Sequence, residues 1–103
     1  SQAVIHGDRV FLAGQVAENP TPDVTEQTRQ ILATINGLLA EAGTDKTKLL
    51  TANIWLADIA DFAAMNAAWD KWVSPGNTPA RATVESKLAG PEYRVEIQVT
   101  AAI

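Results

Sequence analysis

The chain has 103 residues, of which eight are basic and twelve acidic, and it carries a formal net charge of -4 and no cysteine. This length suits a single domain spanning residues 1–103, and the lack of cysteine excludes disulfides and thiolate metal ligands and fits a reducing, cytoplasmic location. The acidic balance without a basic cluster argues against nucleic-acid binding, and no apolar run reaches the ~18–20 residues of a membrane span.

The N-terminal segment predicts a β-hairpin followed by a break. Two apolar stretches flank Gly7-Asp8, which is a typical hairpin signal, and the prolines in "ENPTPD" end the second strand. Alternation along that strand predicts two opposite faces: Val10, Leu12 and Gly14 on one, and Phe11, Ala13 and Gln15 on the other.

A helix is expected next. Asp23, with Glu26 three positions later, resembles an N-cap, and Gly43 is a natural stop. Helical spacing predicts a buried side made of Val24, Ile31, Ile35, Leu38, Leu39 and Ala42. The solvent side is expected to carry Glu26, Gln27, Arg29 and Gln30.

The middle of the chain predicts a strand and a second helix. Residues 49–58 are rich in strand-forming residues, and their alternation places Leu50, Ala52, Ile54 and Leu56 together. Asp58 or Asp61 can cap the helix that follows. In that helix an apolar stripe recurs every three or four positions, which favours core packing over a ligand-binding role: Phe62, Met65, Trp69 and Trp72.

Two further strands complete the chain. In "NTPARATVE", residues 77–85, alternation separates Ala80, Ala82 and Val84, expected over the packed side, from Arg81, Thr83 and Glu85. In the last strand the expected faces are Tyr93, Val95, Ile97, Val99 and Ala101 against Arg94, Glu96, Gln98 and Thr100.

The predicted order is strand, strand, helix, strand, helix, strand, strand. This order indicates an α+β sandwich: one mostly antiparallel sheet with two helices on one face. The opposite face is expected to carry residues such as Ala13, Thr83, Gln98 and Thr100, a set too mixed for a monomer core. We therefore expect that face to form an interface around a shared polar space.

Little catalytic chemistry is available in the sequence. The lone histidine, His6, adjoins a turn, so it provides neither a metal site nor a triad, and the glycines form no phosphate loop. No metal or cofactor is implied. Arg81, with Glu96 and Gln15 from nearby strands, could clamp a small 2-oxo or 2-imino acid and orient a hydrolytic water. A plain structural pair between Arg81 and Glu96 remains the alternative.

Several segments resemble one family across essentially the whole chain: "FLAGQVA", "DFAAMNAAW", "PARATVE" and "VEIQVTA" look like the Rid family, also called YjgF/YER057c/UK114. The resemblance implies a chorismate-mutase-like homotrimer with clefts between subunits. It also implies a 2-iminobutanoate/2-iminopropanoate deaminase-like hydrolase that converts enamines and imines to 2-oxo acids and ammonia. Arg81 would grip the substrate carboxylate and Glu96 would position the water, while Gly14, Gln15 and Thr83 would complete substrate binding.

The chain departs from the best-known members in places. Thr83 stands where they have cysteine, Ala13 stands where they have serine, and a cleft-lining tyrosine would fall before Ser1. These departures suggest a divergent subfamily. A non-catalytic trimeric module that binds small carboxylates is the main rival; a chaperone-like trimer stays open, and the acidic charge and the lack of a histidine pair disfavour a ribonuclease.

Overall fold

The computed structural model describes all 103 residues, which form a five-stranded sheet and two α-helices. In chain order the elements are β1 Ala3–His6, β2 Arg9–Leu12, α1 Val24–Glu41, β3 Leu49–Leu56, α2 Phe62–Trp72, β4 Ala80–Glu85 and β5 Val95–Ala102. The sheet order is β1-β2-β5-β3-β4, with β3 and β4 parallel and every other neighbouring pair antiparallel. The predicted succession of elements and the α+β class are confirmed.

The core lies between one face of the sheet and the two helices, and we call this face the helix side. The inward residues of β5 are essentially inaccessible, as predicted: Val95, Ile97, Val99 and Ala101. They belong to one apolar cluster with residues of both helices, among them Ile31, Ile35, Met65 and Trp69. Burial of one such side chain contributes ~1.5–3 kcal/mol, so this face supplies most of the stabilising apolar contact. Neither helix is long and apolar enough to cross a membrane.

Local signals fix the ends of the helices. The Asp23 carboxylate accepts a hydrogen bond from the Thr25 N–H at the start of α1, and Gly43 follows its end with a φ of 84°, both as predicted. Asp58 accepts from the Ala60 N–H and starts a short 3-10 turn, Ile59–Asp61, ahead of α2. Asp61 makes no cap hydrogen bond with its side chain and contacts Arg94 instead.

Gln27 does not lie on the side of α1 where it was predicted. The helical pattern placed it on the solvent side, yet it is fully buried. Its side-chain amide donates to the carbonyls of Thr21 and Glu92, and its oxygen accepts from the Arg94 N–H. Because these bonds satisfy the amide, it can remain in the core while it joins α1 to the segment before β5.

Two strand faces also differ from the predicted alternation. A register shift between Leu49 and Thr51 buries Leu49 and leaves Leu50 42% exposed, although the alternation had placed Leu50 together with the buried Ala52, Ile54 and Leu56. In β4 the assumed packed side, Ala80, Ala82 and Val84, is exposed. Because β4 is an edge strand with one neighbour, its apolar residues are not required to face the core.

Candidate functional site

Arg81 lies on β4 and points to the helix side of the sheet. It pairs in register with the buried Ala52, and residues paired across neighbouring strands share a face. Its Cζ atom is 5.7 Å from the centre of the Phe62 ring and 5.5 Å from the centre of the Trp69 ring. Both distances are within the range of cation–π attraction, so α2 supports the half-buried guanidinium.

The guanidinium N–H groups of Arg81 have no hydrogen-bond or ion-pair partner in the chain. The ion pairs join Arg9 to Asp8, Arg29 to Glu26 and Arg94 to Asp61. The rings contact the guanidinium without accepting its hydrogen bonds, so its N–H groups stay free, and these match the two oxygens of a carboxylate. The arrangement can therefore bind a small carboxylate.

Glu96 lies on the opposite face of the sheet, which we call the open face. It pairs in register with Trp55, whose other partner is the exposed Val84. Strand β3 separates β5 from β4, so Glu96 is not on a neighbouring strand. Arg81 and Glu96 do not come together within one chain, and the structural pair between them is not formed.

Gly14 and Gln15 lie beside β5 with their faces exchanged relative to the prediction. Between the Phe11–Thr100 pair and the Gln15–Ile97 bridge, the N-terminal segment advances by four residues (15 - 11), whereas β5 advances by only three (100 - 97). This extra residue reverses the alternation and places Gln15 on the side of Ile97. Gln15 is buried, and its side-chain amide donates to Gln2 and to the Ala13 carbonyl.

The Glu96 carboxylate fits against Gly14. A Cβ atom at Gly14 would overlap Oε2 of Glu96, so glycine makes room for the acid. The residues predicted for the site therefore form two half-sites. Glu96 and Gly14, with Gln15 next in the chain, make the first; Arg81 and Thr83 make the second.

Thr83 belongs to the half-site of Arg81 and not to the open face, where the alternation had placed it. It pairs in register with the buried Ile54 on the helix side. Its hydroxyl is buried and has no hydrogen-bond partner. Buried hydroxyls usually have a partner, so Thr83 is an exception beside Arg81.

Phe62 is the residue near Arg81 that the sequence pattern did not identify. It begins the predicted core stripe of α2, yet it is 38% exposed while Met65 and Trp69 are buried. Helical spacing alone cannot distinguish a core residue from one at the margin of a site, because both lie on the same side of the helix. The register of the parallel pair β3–β4, which brings Arg81 to this ring, was the missing information.

The larger grooves of the single chain lie elsewhere. The largest, about 560 Å³, runs between α1 and α2 and is lined by residues such as Arg29, Lys46 and Trp72. A second groove of about 420 Å³ is lined by Gly14 and Gln15, together with Tyr93. Neither groove includes the predicted site residues Arg81 and Glu96.

Comparison with known proteins gives a consistent result. The family model described as Endoribonuclease L-PSP matches residues 1–103. The RutC family protein YoaB of Escherichia coli K12 is 47% identical over 103 residues, covering 100% of this chain and 90% of the relative.

Solved structures agree with that match. The crystal structure of NMB1025 from Neisseria meningitidis, a member of the YjgF family, is 50% identical with a TM-score of 0.95, over 98% of this chain and 84% of that one. YyfA from Yersinia pestis, of the Rid protein family, is 31% identical with a TM-score of 0.94, over 100% of this chain and 86% of that one.

Proposed function

The chain belongs to the Endoribonuclease L-PSP family, which includes the YjgF, Rid and RutC proteins, and we propose that it is an enamine/imine deaminase. It hydrolyses reactive 2-imino acids to 2-oxo acids and ammonia. The observation that carries the proposal is the guanidinium of Arg81, which two aromatic rings support and no acid of the chain neutralises.

Arg81 binds the substrate carboxylate. Its planar fork can donate two parallel hydrogen bonds to the two carboxylate oxygens, which fixes the orientation of the substrate as well as its position. Partial burial reduces competition from water, and the rings replace some of the lost hydration. The unpartnered Thr83 hydroxyl is on the same face of β4 but is buried in the single chain, so it supplies a further hydrogen bond to the bound acid only once its side chain rotates toward it.

A second subunit completes the site in this proposal. Arg81 and Glu96 point to opposite faces of one sheet, so they can meet only where two chains are in contact. The open face carries exposed apolar side chains of the kind that subunit contacts bury: Val4, Phe11 and Val84. A cyclic homotrimer places Arg81 of each subunit opposite Glu96 of the next. Light scattering that finds a stable monomer would contradict this assembly.

The reaction then needs only a bound water and one carboxylate. The Glu96 carboxylate accepts a proton from the water as the water oxygen forms a bond to the imine carbon. The same group returns the proton to the nitrogen of the tetrahedral adduct. Glu96 then takes the hydroxyl proton of this adduct and passes it to the amino nitrogen, the carbon–nitrogen bond breaks as the carbon–oxygen double bond forms, and ammonia and the 2-oxo acid leave. Arg81 contributes by holding the reacting carbon near the water of the neighbouring half-site.

RNA cleavage, which the description of the family names, is less well supported in this chain. General acid–base cleavage of RNA is most often carried out by histidines, and His6 is the only one. His6 is exposed at the end of β1, beside the hairpin turn. The net charge of -4 also opposes a polyanionic substrate.

Competition with a chemical trap tests the proposal. An amino-acid oxidase generates a short-lived 2-imino acid in the presence of semicarbazide, and the yield of the trapped imine is measured with and without the protein. We expect wild type to lower the trapped yield and Arg81→Ala to leave it unchanged. Arg29→Ala, which removes an exposed arginine of α1 away from the sheet, is the matched control and should behave as wild type.

Failure of wild type to compete with the trap for any imine would contradict the deaminase. Calorimetric binding of a 2-oxo acid that depends on Arg81 would then favour a non-catalytic binding module. If Arg81→Ala competes as well as wild type, the deaminase stands and Arg81 is not its clamp.

A further inference from the structure

Phe62 has an unusual position within the stripe of α2. Met65 and Trp69 are 0% and 4% exposed, whereas Phe62 is 38% exposed. An exposed phenylalanine at the first position of a helix needs no special explanation by itself. Here, however, the ring centre is 5.7 Å from Cζ of Arg81, so this exposed residue adjoins the guanidinium.

The two rings beside Arg81 have different surroundings. Trp69 is part of the apolar core, and its ring lies 5.4 Å from that of Trp72, so packing fixes it. Phe62 is the more exposed of the two residues. Because Arg81 has no ion pair in the chain, the two rings are the contacts that limit where its long side chain can point.

We infer that Phe62 is a positioning and specificity-determining residue for the imine hydrolysis, an inference that rests on the proposed function. Its ring holds the Arg81 fork in place, and its exposed edge forms an apolar wall next to the bound carboxylate. The substrate side chain branches from the carbon adjacent to the carboxylate, so it lies within reach of that wall. The site therefore prefers 2-imino acids with apolar side chains to those with acidic ones.

Kinetics with three imines test this role. An amino-acid oxidase supplies the imines of alanine, leucine and glutamate to wild type, Phe62→Ala, Phe62→Leu and Phe62→Tyr. Ile103→Ala is the matched control, because Ile103 is also an exposed apolar residue (39%) but follows the C-terminal end of β5. Calorimetric binding of pyruvate and 4-methyl-2-oxopentanoate gives a second readout that does not depend on turnover.

We expect Phe62→Ala to raise KM for the alanine imine roughly three- to tenfold, the scale of one cation–π contact, with a smaller change in kcat. The same variant should lose the preference for the leucine imine over the glutamate imine. Phe62→Leu keeps the apolar wall but not the aromatic ring, so it should retain that preference while KM stays raised. Phe62→Tyr should restore both, and Ile103→Ala should match wild type.

Phe62→Ala with unchanged KM and unchanged preference would overturn the inference and leave the deaminase intact. Equal losses in Phe62→Ala and Phe62→Tyr, accompanied by a lower melting temperature, would show a structural role and overturn it as well. If wild type shows no turnover, weaker binding of both 2-oxo acids by Phe62→Ala still supports the positioning role. Wild type that neither turns over imines nor binds 2-oxo acids would overturn both proposals.

Discussion

Two arginines contact residues at the start of α2, and the structure holds them in opposite ways. Arg94 donates from Nε and Nη2 to Asp61 at 3.2 and 2.5 Å and from Nη1 to the Pro22 carbonyl at 3.0 Å. Its backbone N–H also bonds to the buried Gln27. Arg81 has no acidic partner and lies against the rings of Phe62 and Trp69.

The two arginines differ in whether the fold uses the donors of the guanidinium. A guanidinium whose donors are used by the fold links segments of the chain, and Arg94 links α1, the turn before α2 and the segment before β5. Half-burying a guanidinium without an acidic partner costs free energy unless another group pairs with its charge. In our account the substrate carboxylate pairs with the guanidinium of Arg81, so the two arginines should respond differently to substitution.

The largest effect tests the ring beneath Arg81. Trp69→Ala should lower the free energy of unfolding by ~3–5 kcal/mol, because it leaves a cavity in the apolar core. Chemical denaturation of the variant measures this loss. Trp72→Ala, which removes a half-buried ring of the same helix, is the control and should cost less. Unchanged stability of Trp69→Ala together with lost ligand binding would show that Trp69 serves the ligand and not the core.

Removal of each arginine in turn compares their roles in catalysis. Arg81→Ala should slow imine hydrolysis by roughly 100-fold or more, because an unclamped substrate rarely reaches the reacting geometry. Arg81→Lys keeps the charge without the fork and should also bind weakly. Arg94→Ala should leave the rate of the folded protein near that of wild type. Similar rate losses at both positions, measured by 2-oxo acid release, would remove the distinction between them.

Stability should show the reverse order. Arg94→Ala should lower the free energy of unfolding by roughly 1–3 kcal/mol, since it removes charge-assisted hydrogen bonds and leaves Asp61 largely buried without its partner. Arg81→Ala should cost less, because it has no such bonds to lose. Urea denaturation of both variants provides the measurement, and a greater loss in Arg81→Ala would support a structural role for that residue.

Gly14 offers a smaller test in the other half-site. Gly14→Ala should displace the Glu96 carboxylate, and turnover should fall by about tenfold as the acid loses its place beside the water. The carboxylate is the flexible end of its side chain, so the melting temperature should hardly change. Gly37→Ala is the control, since a Cβ atom there meets no neighbour. Full turnover in Gly14→Ala would mean that the position of Glu96 is not critical.

Much of the fold could be predicted because regular spacing and local caps specify it. The hairpin at Gly7, the Asp23 cap and the alternation of β5 all rest on short-range signals. Gln27 could not be predicted, because its partners Glu92 and Arg94 lie 65 and 67 residues away along the chain. Strand faces were wrong where one extra residue interrupts the ladder, as before Gln15 and at Leu50, since such a residue reverses the alternation.

The candidate site was only half accessible to sequence reasoning. Arg81 could be identified because an arginine side chain suits a carboxylate and because the segment around it, "PARATVE", resembles the Rid family. Both are properties of the sequence. That Arg81 and Glu96 face opposite ways depends on the register of three strands, which no local pattern specifies. Because of this register, the proposed site requires Arg81 and Glu96 to meet between chains rather than within one.

A mixture of two inactive variants tests this contact most directly. Arg81→Ala and Glu96→Gln chains carry different affinity tags, are coexpressed, and are purified over both tags so that only mixed oligomers remain. In a cyclic trimer of either mixed composition, one cleft joins an intact Arg81 to an intact Glu96 of the next subunit, so we expect about one third of the wild-type rate of imine hydrolysis. Mixed oligomers no more active than either variant alone would contradict a site shared between subunits.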